Sequence, residues 1–189
     1  MSVNRRKFLK TTAAGATALT LAASSYARIR AANDAVRVGF LGVGGRSQQH
    51  IDAIMDMVEE KKAVRPVAVC DVWDGDMDLG KRSNPAHANR KGRGLYPSAQ
   101  TCGLDKTDKK HVSKDYRVIL DQKDVDVISI ATPDHWHARM ALDAMDAGKD
   151  VYMEKPMTRT IAEAIAVVDM AQKKNRVVTV GVQSMADPT

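Results

Sequence analysis

Cysteine is scarce in this chain, with two in 189 residues, and aromatic residues make up only 4%. Two cysteines cannot form the framework of a disulfide-stapled scaffold. Their settings also differ, Cys70 in an apolar, strand-like run and Cys102 in a polar stretch, so no bridge between them is expected. No uninterrupted apolar run reaches the roughly 20 residues that a membrane-spanning helix needs, so no stable span is expected. Acidic residues are missing from positions 1–27, which hold four of the 29 lysines and arginines and none of the 23 acids. The rest of the chain carries 25 basic against 23 acidic residues, a balance of +2. The formal charge of +6 is therefore an end effect, and no nucleic-acid partner is expected. Internal repeats are absent too, and about 160 residues remain after the first segment, enough for one domain with a real core.

That first segment has the three parts of an export signal. Arg5, Arg6, Lys7 and Lys10 make a basic start, Ala13 to Ala23 an apolar run, and Ser25 and Ala27 supply small residues for cleavage after Ala27. A retained anchor is the alternative. The paired arginines of RRKFLK resemble a twin-arginine signal, the bacterial address for proteins exported already folded, with Asn4 where Ser or Thr is usual. A periplasmic or extracellular location follows as an expectation. Residues 28–35 read as a linker, 36–182 as one domain, and 183–189 as the start of a connection to a further domain.

Within 36–182, VRVGFLG (36–42), RPVAVCD (65–71), DVDVISIA (124–131), DVYME (150–154) and RVVTVGV (176–182) read as strands. Pro66 is tolerable only near the start of its strand. Ile51, Ile54, Met55 and Val58 mark one helical face, and Ala138, Ala141, Leu142 and Met145 another. A last helix carries Ile161, Ala164, Ile165 and Val168 as its apolar positions. Thr132 is expected to cap the middle helix with Pro133 at its first position, and Thr160 with Glu163 to form a capping box for the last. Strands that are apolar along their length and alternate with amphipathic helices predict a doubly wound α/β domain with a parallel sheet. The interval 73–112 is polar, shows no period, and is read as hiding a short helix and an edge strand. Its segment KRSNPAHANRKGRG has five basic and no acidic residues and reads either as a solvated insertion or as a rim that touches phosphate.

Two constellations carry chemistry. Gly42-Val43-Gly44-Gly45-Arg46-Ser47 lies where a strand meets a helix. In a dinucleotide turn the first glycine permits the bend, the second lets backbone approach a pyrophosphate, and the third position, here Ser47, must be small for packing. The helix N-terminus then presents free N–H groups to the anion. Asp71 ends the second strand 24 residues past Ser47, placed to accept hydrogen bonds from ribose hydroxyls, or else a plain turn residue. Its charge would repel a 2′-phosphate, so NAD is favoured over NADP, with the basic loop keeping NADP as the alternative. The second constellation is ATPDHWHARM followed by DAGKDVYMEKPM, both at strand ends, where doubly wound sheets gather ligands. Lys155 there is placed to polarise a substrate hydroxyl. His135 and His137 point to different sides of a helix without a carboxylate or cysteine cluster, so no metal is expected. Trp136 reads as packing or pocket wall.

The glycine turn, the acidic end of strand two, TPDHWH and above all EKP resemble the Gfo/Idh/MocA family of NAD(P)-dependent oxidoreductases, from about Val36 to Val182. The resemblance implies that Lys155 sits between nicotinamide and substrate, that Glu154 and Pro156 line the nicotinamide end, and that Thr132, Pro133 and His137 border the cofactor. It further implies a second α/β domain supplying most substrate contacts and a histidine proton acceptor, so this chain is read as the front half of a longer protein, one that can form a homo-oligomer at full length. The activities implied are oxidoreduction of a sugar, polyol or related hydroxyl, or a glycosidase using tightly held NAD. A nucleotide-binding module without chemistry is the third reading.

Overall fold

The computed structural model describes residues 35–77 and 92–182. The export signal, the linker through residue 34 and the connection at 183–189 lie outside these residues. In chain order the elements are β1 (Val36–Leu41), α1 (Ser47–Glu59), β2 (Val64–Cys70), α2 (Leu95–Thr101), β3 (Val112–Ser113), α3 (Tyr116–Leu120), β4 (Val127–Ile130), α4 (His137–Asp146), β5 (Asp150–Glu154), α5 (Ile161–Lys174) and β6 (Val178–Gly181). The strands form one parallel sheet in the order β3-β2-β1-β4-β5-β6. This is the doubly wound architecture read from the sequence, and its strand order reverses between β1 and β4, opening a crevice beyond their carboxyl ends.

Both faces of the sheet are covered. Val38 and Phe40 of β1 pack with Ile51 of α1 and Leu95 of α2, while Leu41 packs with Ile128, Ile130 and Met145 on the opposite face. Phe40, Ile128, Ile130 and Met153 are completely buried, each contributing about 1.5–3 kcal/mol of transfer free energy. Burial on both faces is the reason the strands read as continuous apolar runs. Pro66 sits early in β2 at a register irregularity, where Val38 opposes Pro66 and Gly39 opposes Ala68, before β3 pairs with Val69 and Cys70. The ladder thus loses little from the missing N–H. The interval 73–112 does contain a short helix and a two-residue edge strand, α2 and β3. Cys70 and Cys102 are both buried, and they are not joined in a disulfide. Burial, with help from Asp71 and Asp115, pushes the Cys70 thiol up to about 12, so it packs as a hydrophobe and is inert as a nucleophile.

Two local expectations need correction. The middle helix begins at His137, after a 3₁₀ turn over Asp134–Trp136, and neither Thr132 caps it nor does Pro133 open it. Pro133 is extended at ψ 143, and the Trp136 N–H closes the turn on its carbonyl at 2.9 Å. Thr132 is instead packed against Gly42 with its hydroxyl buried and unpartnered. The second correction concerns α5. Its capping box is present, Thr160 and Glu163 exchanging bonds at 3.2 and 3.0 Å. The buried side, however, is set by Val167, at 1% exposure, with Met170 and Ala171 beside it. Ile161, Ile165 and Val168 face outward at 80%, 57% and 48%. The segment IAEAIAVVDMA is apolar almost all round, so periodicity alone cannot choose its inner face.

Candidate cofactor and active site

The carboxyl ends of β1, β2, β4 and β5 bring the two constellations together. After β1 the chain turns at Gly42 with φ +78, where a Cβ would lie 2.7 Å from Thr132 Cγ2 and 2.8 Å from its backbone nitrogen. Only glycine fits, and the turn is thereby pressed against the TP turn that follows β4. Around Gly44, by contrast, a Cβ would meet no atom within 4 Å, so the space beside this backbone is open. Ser47, at the third position, is fully buried and packs into the body of the domain. Arg46 occupies the N-cap of α1 without a capping side-chain bond, and no acidic residue stands in the first turn. The free N–H groups of the helix are thus left for an external anion.

Asp71, at the end of β2, accepts from the Val43 N–H at 2.8 Å and from the Trp73 N–H at 2.9 Å. Each carboxylate oxygen retains a further acceptor site, so it holds the turn in shape and still has capacity for a diol. Lys155 stands exposed just past β5, joined to Pro156 by a cis peptide bond. Behind it, buried Glu154 accepts from Arg46 Nε at 2.6 Å and His50 Nε2 at 2.9 Å through one oxygen, and from the Lys155 N–H at 3.3 Å through the other. The glycine turn and the EKP segment are therefore tied by an ion pair across the mouth of the sheet.

Residues 36–182 match the sequence model of the Gfo/Idh/MocA oxidoreductase family, described as an NAD-binding Rossmann fold. The chain belongs to this family. A glycosyl hydrolase family 109 protein of Shewanella pealeana is 32% identical over 195 residues, covering 93% of this chain and 38% of the relative. An α-N-acetylgalactosaminidase of Shewanella oneidensis is 29% identical over 148 residues, covering 76% and 27%. Among solved structures, a levoglucosan dehydrogenase in complex with NADH superimposes with a TM-score of 0.59 at 27% identity, covering 78% of this chain and 34% of that one. The chain spans about 38% of the length of the curated relatives it matches over most of its own.

As a Gfo/Idh/MocA domain the chain binds NAD, and its own geometry fits that ligand. Gly44 leaves room for close approach, the start of α1 is uncapped, and Asp71 has spare acceptor capacity. Thr132 borders the turn through its contact with Gly42, and Pro133 follows it in the chain. His137 is nearly fully buried, with Nδ1 2.7 Å from the Pro156 carbonyl and Nε2 2.9 Å from that of Thr132. Both ring nitrogens face backbone carbonyls of the protein, so His137 bridges the TP and KP turns. Trp136 is half-exposed and meets Tyr116 edge-on at 6.4 Å. Among the described residues no three His, Cys, Asp or Glu side chains gather to hold a metal ion.

Sequence reasoning missed His50 and Ser129. Burial pushes the His50 ring below its ordinary pKa, although the Glu154 hydrogen bond opposes this. A neutral ring facing a carboxylate must carry its proton on Nε2, which leaves Nδ1 to accept from the Ser129 hydroxyl at 3.1 Å. For Glu154, burial pushes upward, but the bonds from Arg46 and His50 prevail and hold the carboxyl below its usual range. The result is a fixed negative charge directly behind Lys155. A histidine three residues into the helix after a glycine turn was the one available signal, since that position faces back over the sheet.

Proposed function

We propose that this chain is the nucleotide-binding half of a carbohydrate-active enzyme that works by hydride transfer between a substrate carbon and NAD. The observation supporting this reading is the position of Lys155, exposed at the carboxyl end of β5 and backed by the Glu154–Arg46 ion pair that leads to the glycine turn. Bound NAD supplies a hydride acceptor at its nicotinamide. The Lys155 ammonium donates a hydrogen bond to the substrate hydroxyl, orients the carbon that bears it and stabilises the oxygen as its proton leaves. Glu154 and Pro156 fix the backbone on either side of Lys155. The proton acceptor is assigned to a second domain, as the family resemblance implies.

A second reading, NAD-dependent glycosidase, is favoured by the names of the curated relatives. Transient oxidation at one ring carbon would acidify its neighbour, elimination would break the glycosidic bond, and the hydride would return. The two are separated by supplying NAD with free sugars and, in parallel, with aryl glycosides. Net NADH on free sugars marks the dehydrogenase, and aglycone release without net NADH marks the glycosidase. In the complete protein Lys155→Ala should abolish either turnover and spare NADH binding; unchanged turnover would overturn its role.

We also propose export in the folded state. A dinucleotide made in the cytoplasm can be carried out only by a glycine turn already formed, which favours the twin-arginine reading of RRKFLK. Native mass spectrometry of the protein from its own cell tests this, the supporting species lacking residues 1–27 and carrying the mass of NAD.

A further inference from the structure

The turn's own arginine is committed elsewhere. Arg46 is ion-paired to Glu154 at 2.6 Å and also bonds Gln49, so its charge is balanced inside the protein. A second guanidinium, from a distant part of the sequence, lies over the same turn. Arg93 Nη1 is 3.1 Å from the position that a Cβ on Gly45 would occupy, and Gly45 is solvent-exposed. Among the described residues no carboxylate pairs with this guanidinium.

Arg93 is held there by its backbone. It exchanges hydrogen bonds with Asp76 at 2.8 and 3.1 Å, and the next residue, Gly94, donates to the Val43 carbonyl inside the glycine turn at 2.9 Å. Gly94 has φ +98, and a Cβ there would lie 2.3 Å from the Gly75 Cα, so the two segments cross in direct backbone contact. That crossing delivers Arg93 to one place, beside Gly45 and just before the uncapped start of α1.

We propose that Arg93 is a cofactor-binding residue that pairs with the pyrophosphate of NAD. The inference rests on NAD occupying the glycine turn and adds a residue from the KGRG end of the basic segment. A helix N-terminus alone offers about half a unit charge to a diphosphate carrying two negative charges. Arg93 supplies a full charge with a planar fork of donors suited to phosphate oxygens.

The test is a titration of the protein with NADH, followed by fluorescence, for the parent, Arg93→Gln and Arg93→Lys. Adenosine, which lacks phosphate, serves as a competing probe. Loss of a charged hydrogen bond predicts roughly 10- to 100-fold weaker NADH binding in Arg93→Gln. Arg93→Lys keeps the charge but loses the fork, so its NADH affinity should fall between those of the parent and Arg93→Gln, and adenosine binding should be the same in all three proteins. NADH affinity unchanged in Arg93→Gln would overturn the proposal, as would an equal loss for adenosine, which would mean the substitution had damaged the loop. Failure of the parent to bind NADH would overturn the cofactor site itself, and Arg93's role with it.

Discussion

Gly42 and Gly44 are two residues apart in one turn, and substituting alanine at each should produce opposite failures. At Gly42 the added methyl meets both a disfavoured conformation and a wall. Holding alanine at φ +78 costs about 1–2 kcal/mol. The clash at 2.7–2.9 Å includes backbone atoms of Thr132 and adds roughly 1–3 kcal/mol, because a main chain cannot rotate aside as a side chain does. The sum, about 2–5 kcal/mol, corresponds to a fall of roughly 5–15 °C in Tm for a domain of this size. At Gly44 the backbone is outside the left-handed region and no atom lies within 4 Å of the new methyl. Stability there should be unchanged or slightly higher, since alanine restricts the unfolded chain by about 0.4–1 kcal/mol. The methyl instead occupies the space through which the pyrophosphate approaches the backbone. Chemical denaturation paired with NADH titration reads both effects. Gly42→Ala should lose stability, and Gly44→Ala should keep it while losing most NADH affinity. A Gly44→Ala protein that binds NADH like the parent would refute the assignment of this turn to the pyrophosphate.

Two further outcomes test the electrostatics and the packing. His50 is pushed below 6.5 by burial, so its contribution to stability is present above that pH and is lost as pH falls through its folded pKa. At His111 burial also pushes downward, but hydrogen bonds to Asp108 at 2.7 Å and Asp124 at 3.0 Å prevail and raise it, so its contribution is complete below 6.5 and is lost as pH rises through its folded pKa. Imidazole NMR titration should place the His50 midpoint below that of His111, and the reverse order would contradict both local environments. On α5, Val167→Ala should cost about 2–3 kcal/mol through lost burial and a residual cavity, and Ile165→Gln at an exposed position within about 0.5 kcal/mol of nothing. Equal costs in denaturation would mean that the helix is seated on its other face.

What could be read from the sequence was whatever depends on neighbours along the chain. The strand runs are apolar because both sheet faces are covered, and that condition shows in every five-residue window. Gly42 could be assigned to a tight turn because its φ is a local demand, and the Thr160–Glu163 box spans four positions. The start of α4 was misjudged for a non-local reason. Thr132 has the composition of a cap, but Gly42, ninety positions earlier, presses on it and the helix begins five residues later. The inner face of α5 was hidden for a related reason, since an almost wholly apolar segment leaves the choice to the partner surface.

The site shows the same division more sharply. Its cofactor end was legible because glycines and a strand-end carboxylate are each needed for a backbone reason at a fixed spacing. Its electrostatic core was not, because His50 and Glu154 are 104 positions apart and Arg46 and Glu154 are 108 apart, and no local pattern marks either pair. These long-range contacts tie the EKP segment to the glycine turn and the helix behind it. Glu154 is buried, and a buried carboxylate is tolerable only with partners, here Arg46 from the turn and His50 from the helix behind it. The charge that positions Lys155 is therefore stable only while the glycine turn is formed. Lys155 and the glycine turn are thus parts of one folded unit, and damage to either must reach the other through Glu154.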